Sequence, residues 1–120
     1  MSTEIYRGDI YYANLTPAVG GEMGGIRPVI ILRGNIPEDV ASPETVIVAG
    51  IINAESISGE LNPQLYVKLP KESGFLFGSS IISLSQVRTI STQRLLEYFG
   101  KVAPEIMEEA DKKLKNLLGI

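Results

Sequence analysis

The chain has 120 residues, of which 44% are hydrophobic and 21% charged, so we expect one domain, residues 1–120, with its own buried core. It contains no cysteine and no histidine, which excludes disulfides, a thiol nucleophile, an imidazole base and the commonest metal ligands. The formal net charge of −3 provides no overall basic field, so a nucleic-acid partner would need a local basic groove.

The first half of the chain predicts three strands, at residues 10–13, 29–32 and 45–52, each rich in β-branched or aromatic side chains. The third strand is almost continuously apolar, which is typical of a central strand covered on both faces. Gly50 inside it indicates a bulge or a close backbone contact. Residues 33–43 contain Gly, Asn and Pro and predict a surface loop.

The second half predicts further strands followed by helices. Residues 64–69 alternate between polar and apolar, and residues 79–83 and 86–90 form two short strand candidates. In the second of these, Gln86, Arg88 and Ile90 share one face. Ser91 is a good N-cap for a short helix reaching Tyr98. A last helix is expected from Pro104 to Leu118, with Gly119 as its stop.

These elements together predict an α+β fold that is mainly β: a strongly bent antiparallel sheet or partial barrel with helices at the C-terminus. The N-terminus has no signal-peptide pattern, and no apolar run approaches membrane length. We therefore expect a cytoplasmic protein that does not associate with membranes, and the residue types present require no cofactor or metal.

The most distinctive stretch is Gly20-Gly21-Glu22-Met23-Gly24-Gly25-Ile26-Arg27-Pro28, which leads into a buried strand. Glycines allow a ligand to approach the backbone closely, and Pro28 holds Arg27 in an extended conformation. An arginine presented in this way suits a phosphate or another oxyanion. The same pattern also fits an ordinary strand-entry loop with a solvated charge, and local sequence alone does not separate the two.

Four motifs in this order resemble the MazF/PemK toxin family. They are Arg7-Gly8-Asp9 before an aromatic strand, the glycine-rich stretch with Arg27-Pro28, Gln86-Val87-Arg88-Thr89-Ile90, and the ending Gly100-Lys101-Val102-Ala103-Pro104-Glu105. The resemblance extends from Tyr6 to Leu118. It implies an SH3-like sheet of the CcdB/PemK kind, assembled as a homodimer.

The resemblance also implies a function. Members of this family are toxins of type II toxin–antitoxin pairs, in which a MazE-like antitoxin restrains the toxin and binds DNA together with it. They cleave single-stranded RNA, including mRNA, at short sequences and without a metal. The ribose 2′-OH attacks the adjacent phosphate and gives a 2′,3′-cyclic phosphate and a 5′-OH end. The RNA supplies the nucleophile, so a chain without His or Cys can perform this chemistry.

Residue by residue, the resemblance assigns a catalytic role to Arg27 and to the acidic Glu22. Backbone amides of Gly24 and Gly25 are expected to help bind the phosphate, and Gln86 and Arg88 match positions near the RNA groove. Glu22 either orients Arg27 and moves a proton or simply forms an ion pair with Arg27; both interpretations stay open. No residue is identified as the general base.

One position departs from the family pattern. An ungapped alignment puts Ile52 where the family has a threonine that contacts the scissile phosphate. Asn53, Ser56 or Ser79 could take over that role, and a bulge at Gly50 could restore the register. Ile52 therefore leaves open a catalytically silent member that only binds antitoxin or RNA. A third hypothesis is a CcdB-type gyrase poison, which the Arg27 motif disfavours. The sequence that is cut would depend on the loops at residues 33–43 and 53–63.

Overall fold

The computed structural model describes residues 4–34, 44–54, 59–60, 62–70 and 80–120. Six strands form one antiparallel sheet in the order β4-β5-β3-β2-β1-β6, and its two edge strands do not pair with each other. The strands are β1 (Asp9–Asn14), β2 (Ile26–Arg33), β3 (Thr45–Asn53), β4 (Tyr66–Lys68), β5 (Ser80–Ser91) and β6 (Leu95–Lys101). They precede helix α1 (Pro104–Leu118), which packs on the sheet, so the predicted α+β fold is confirmed.

The apolar runs of β2 and β3 make them central strands with a hydrophobic cluster on each face. The cluster on the α1 side contains Met107 and Ala110 of the helix together with Ile30 and Ile51 of the sheet. The cluster on the opposite face is built mainly by alternate residues of β2 and β3, with one residue each from β1 and β5: Val29, Ile31, Val46, Val48, Ala13 and Ile90. Met23, from the loop between β1 and β2, packs against this second cluster.

Strand β5 is one element of 12 residues rather than the two short strands expected. Its pairing with β3 shifts between Ala49 and Gly50, where Ala49 faces Val87 but Gly50 faces Ser83. The intervening residues 84–86 are accommodated as a bulge in β5, which bends the strand without ending it. The predicted alternation from Gln86 onward is confirmed, because Gln86 and Arg88 are partly buried while Val87 is exposed.

The predicted helix from Ser91 to Tyr98 is wrong. Ser91 does act as a cap, since its hydroxyl accepts from the amide of Gln93 at 3.1 Å, but it starts only a short 3-10 turn at Thr92–Arg94. The chain then enters β6, which pairs with β1. Cross-strand aromatic contacts outweigh the weak helical spacing, because the Tyr98 ring meets that of Tyr11 edge-on at 5.4 Å.

Helix α1 is confirmed with the bounds expected from its sequence. Pro104 occupies its first turn, and Gly119 ends it in the left-handed conformation with φ of 74°. Met107 and Ala110 are buried in the core, whereas Leu117 and Leu118 near the end are exposed. Among the residues described, no helix is both long enough and apolar enough to cross a membrane.

The Arg7-Gly8-Asp9 triplet ties the start of the sheet to its neighbours. Arg7 donates to the carbonyl of Leu32 at 2.9 Å and forms an ion pair with Asp111 of α1. The buried Asp9 accepts from the amide of Tyr6 and from Lys101 of β6, both at 2.9 Å. The triplet therefore connects the start of the sheet to β2, β6 and α1.

Candidate functional site

The loop between β1 and β2, residues 15–25, contains the glycine-rich stretch and has a defined shape. At its base the amide of Leu15 donates to the carbonyl of Gly25 at 2.9 Å. In its middle the carboxylate of Glu22 accepts from the amide of Val19 at 2.8 Å, and Gly20 takes a φ of 60° to complete that turn. Glu22 is therefore engaged in closing the loop.

A second side chain fixes the start of this loop from outside. The guanidinium of Arg94, in the 3-10 turn, donates through Nη1 to the carbonyl of Asn14 at 3.0 Å and also to the carbonyl of Thr16. Asn14 in turn accepts from the amide of Thr16 at 3.1 Å through its side chain. The loop thus leaves β1 in a direction set by these hydrogen bonds.

Arg27 lies one residue inside β2, opposite Ala13 of β1, rather than in the loop itself. Its side chain is exposed, and its Nε donates to the carbonyl of Gly24 at 2.8 Å. Within the described part of the chain, its two terminal nitrogens have no hydrogen-bond partner. The guanidinium is therefore held along one edge while the other edge is free to bind an oxyanion in a bidentate manner.

Arg27 lines a cleft with a volume of about 440 Å³, which we name the Arg27 cleft. Its lining combines loop glycines, an aromatic ring, strand ends and polar side chains: Tyr12, Gly24, Gly25, Ile26, Arg27, Pro28, Ile51, Ile52, Asn53 and Ser80. The structure therefore brings Arg27, Gly24, Gly25 and Asn53 together, four of the seven residues expected from the sequence.

The register of β2 and β3 puts Ile52 directly across from Arg27. Val29 pairs with Gly50, and continuing this antiparallel pairing by two residues aligns Arg27 with Ile52. The idea that a bulge at Gly50 restores another register is wrong, because the extra residues at this point are in β5, and β3 stays in step with β2 from Val48 to Gly50. Ser56 and Ser79 lie outside the described residues.

Two residues that line the Arg27 cleft, Ser80 and Tyr12, are not predicted from the sequence. Ser80 pairs with Asn53 across β3 and β5, so it reaches the cleft through a contact between distant parts of the chain. Tyr12 of β1 presents a ring that is braced edge-on by Phe99 at 5.0 Å. In the sequence, Tyr12 is marked only as the second residue of the aromatic pair Tyr11-Tyr12 in β1, and packing in the core would explain such a pair equally well.

The other three expected residues line a separate cleft between the β1–β2 loop and β5. Glu22, Gln86 and Arg88 surround this second cleft, of about 320 Å³, together with Gly21, Ser85 and Val87. Glu22 forms no ion pair with Arg27 in the described part of the chain, so that interpretation is wrong. Arg88 has its Nη1 buried without a hydrogen-bond partner among the described residues.

The electrostatics around these clefts come mainly from the arginines. Arg27 and Arg88 are the cationic residues that line the two clefts. Beside them in β1, the pKa of Tyr11 is raised by burial first and then by the charges of Asp9 and Tyr98. No cluster of acidic side chains that could hold a metal is present within the described ranges.

Comparison with known proteins gives this arrangement a family. Residues 6–118 match the model of a family described as PemK-like, MazF-like toxins of type II toxin–antitoxin systems. The chain belongs to this family. It is also 34% identical over 116 residues to the endoribonuclease EndoA of Bacillus subtilis (strain 168), covering 97% of this chain and 96% of EndoA.

Solved structures of MazF toxins share the fold. MazF of Deinococcus radiodurans superposes with a TM-score of 0.78 at 22% identity, covering 99% of this chain and all of that one. A mycobacterial endoribonuclease in complex with its cognate antitoxin gives a TM-score of 0.69 at 20% identity, covering 95% and 94% of the two chains. The family predicted from the four motifs is thus confirmed, and these comparisons give no support to a silent member or a gyrase poison.

Proposed function

We propose that this member of the MazF/PemK family is a type II toxin that cleaves single-stranded RNA in the cytoplasm, selectively for short sequences and without a metal. The observation that carries the proposal is the guanidinium of Arg27, a residue that lines an open cleft: Gly24 holds it by its Nε, and its terminal nitrogens have no hydrogen-bond partner among the described residues. The name of EndoA, a 34% identical relative, supports an endoribonuclease activity.

In this reaction the ribose 2′-oxygen forms a bond to the adjacent phosphorus, and the bond from phosphorus to the 5′-oxygen of the next nucleotide breaks. The 2′-hydroxyl loses its proton and the departing 5′-oxygen gains one. Arg27 stabilises the charge that develops on the phosphorane, because its free edge can bind two non-bridging oxygens. The protein then has to orient the RNA backbone, and it does not need a nucleophile of its own.

The remaining residues of the two clefts are assigned to substrate binding. Tyr12 offers a braced ring on which a base can stack, and Asn53 and Ser80 offer hydrogen-bonding groups at the cleft wall. Gln86 and Arg88 extend the binding surface to the second cleft, where Arg88 is suited to a flanking phosphate. Glu22 acts from the same cleft, and we assign its influence on Arg27 to the loop that both residues share.

For partners we propose a homodimer of single-domain chains, residues 1–120, together with a MazE-like antitoxin. Related structures include the mycobacterial endoribonuclease with its antitoxin and a MazE–MazF complex from Deinococcus radiodurans. A disordered acidic segment of the antitoxin would compete with RNA for the arginines, since both ligands present oxyanions. The complex with antitoxin would then bind DNA.

The test compares Arg27→Ala with Arg33→Ala in cells that express the toxin. Arg33 is an exposed arginine of the same strand that donates to the Thr45 hydroxyl at 3.3 Å and lies outside both clefts, so it controls for lost charge. Mapping of RNA 5′-OH ends should show cuts with the wild type and with Arg33→Ala. Purified Arg27→Ala should cleave roughly 10²–10³-fold more slowly, as expected when one oxyanion donor is lost.

Two outcomes would contradict the proposal. Growth arrest without new 5′-OH ends would indicate a gyrase poison, and purified gyrase would then be the target to assay. Neither arrest nor cleavage, with retained binding to antitoxin or RNA, would indicate a silent member of the family. Cuts that persist in Arg27→Ala would remove Arg27 from the mechanism while leaving the activity in place.

A further inference from the structure

We propose that Met23 and Gly50 form an anchor that fixes the β1–β2 loop on the sheet and thereby positions Arg27. Neither residue touches substrate in this proposal; both act through the loop backbone. The inference deepens the proposed ribonuclease activity and rests on it for its kinetic consequence, but its structural consequence can be measured without any RNA.

The first contact is between the Met23 thioether and the backbone of Gly50. Gly50 is buried in β3, and a Cβ built on it would lie 2.3 Å from Sδ and 3.1 Å from Cε of Met23. The Met23 side chain therefore occupies the space that any side chain at residue 50 would need. Glycine at this position is explained by the close approach of the loop to the strand.

The second contact holds the same loop residue to the neighbouring strand. The amide of Met23 donates to the side-chain oxygen of Gln86 in β5 at 3.3 Å. Gln86 belongs to the bulge, and its Cβ would lie 3.8 Å from a Cβ on Gly50. Met23 is thus held by its side chain on β3 and by its backbone on β5, which fixes both its position and its direction.

The anchor is one peptide unit away from the group that orients the guanidinium. Gly24 follows Met23 directly, and its carbonyl accepts from Nε of Arg27 at 2.8 Å. Gly24 is also closely packed against Ala18, since a Cβ built on Gly24 would lie 2.7 Å from the Cβ of Ala18. Moving Met23 therefore moves the Gly24 carbonyl and rotates Arg27 away from its held geometry.

The kinetic expectation is a loss in kcat with little change in KM for RNA. A misplacement of about 1 Å in a catalytic group typically costs on the order of 10²-fold in rate. We therefore expect Met23→Ala and Gly50→Ala each to lower kcat by roughly 10- to 100-fold. The sheet should survive in Gly50→Ala, because the group that must yield is the end of a flexible thioether side chain.

A double-mutant cycle separates this anchor from a simple effect of Gly50 on strand stability. Once Met23 is truncated, the nearest group to a methyl on residue 50 is the Gln86 Cβ at 3.8 Å, an ordinary contact. Gly50→Ala should therefore cost nothing further in the Met23→Ala background. If Gly50→Ala has the same effect in both backgrounds, the anchor does not exist.

Two variants serve as matched controls. Val19→Ala also truncates an apolar side chain of the same loop, but Val19 is 73% exposed and lines neither cleft. It should leave kcat within about twofold of wild type, since exposed substitutions rarely perturb their surroundings. Met23→Leu keeps most of the apolar volume and should recover most of the rate that Met23→Ala loses.

The decisive readout is the Arg27 side chain itself, followed by the NMR signal and solvent exchange of its Nε proton. This proton is hydrogen-bonded to Gly24 in the wild type and should exchange roughly tenfold faster in Met23→Ala and Gly50→Ala than in Val19→Ala. Unchanged exchange in both variants overturns the inference, whether or not the protein cuts RNA. Conversely, faster exchange in a protein without ribonuclease activity would refute the proposed function and leave the anchor standing.

Discussion

Replacing Ile52 with threonine tests whether the Arg27 cleft is built for a phosphorane. Ile52 lines this cleft and lies across from Arg27 in the register of β2 and β3. Threonine is also β-branched, so it should keep the strand conformation while replacing the ethyl branch of isoleucine with a hydroxyl. That hydroxyl would enter the cleft on the side opposite the guanidinium, where it could donate to a non-bridging oxygen.

The expected gain follows from the charge of the acceptor. A hydrogen bond to a charged group contributes about 1.5–3 kcal/mol, which corresponds to roughly 10- to 150-fold in rate if it forms only in the transition state. The Arg27 cleft is open and Ile52 is only partly buried, so water competes for the same oxygen. We therefore expect a rise in kcat near the lower limit, about tenfold.

Ile52→Val is the matched control, because valine has the shape of threonine without the hydroxyl. Both variants should lose a little stability from the missing methylene, about 0.5–1.5 kcal/mol at a buried site and less here. Single-turnover cleavage of a defined RNA would give the ratio of rates for threonine and valine. A ratio of one would show that position 52 does not face the scissile phosphate and that this model of the site is wrong.

Two further predictions concern stability. Asp9→Ala should lower the free energy of unfolding in urea by about 1–3 kcal/mol, because it removes the buried carboxylate that accepts from the Tyr6 amide. Asp111→Ala breaks only an exposed ion pair with Arg7 and should lower it by less than about 1 kcal/mol. Equal losses would contradict a special role for the buried carboxylate. The pKa of Tyr11 is raised in the folded state, so its stabilising contribution is complete below the ordinary tyrosine pKa and is lost as the pH rises through the raised value. Stability measured between about pH 8 and 11 should therefore fall less steeply for Tyr11→Phe than for the wild type, and identical slopes would refute the shift.

Local sequence is sufficient to predict the parts of the fold that are determined by residues close together in the chain. The β-branched runs of β2 and β3 bury both faces, and the capping pattern of Pro104 and Gly119 defines α1. The glycine-rich stretch and Arg27 were recognisable because a turn and a strand-bound arginine are encoded by adjacent residues. In each of these cases the deciding interactions are close in sequence.

The features that the sequence does not predict correctly depend on contacts between residues far apart in the chain. The sequence predicts a helix over the first part of β6, because the aromatic partners of this strand, Tyr11 and Tyr12, are more than eighty residues away in the chain. Ser80 enters the Arg27 cleft only through its pairing with Asn53. The separation of Glu22 from Arg27 depends on the direction that the loop takes after its hydrogen bond to Gln86. Interactions of this kind are set by the assembled sheet, and local patterns do not report them.

The bulge at residues 84–86 sets a rule for anyone who exchanges segments between relatives of this toxin. Side chains before it pair with residues 50–53, and those after it pair with residues 45–49. Deleting or adding a single residue there would invert inside and outside for one whole arm of the strand. A chimaera should therefore keep the number of residues between Ser83 and Val87 constant, even where their identities are free to change.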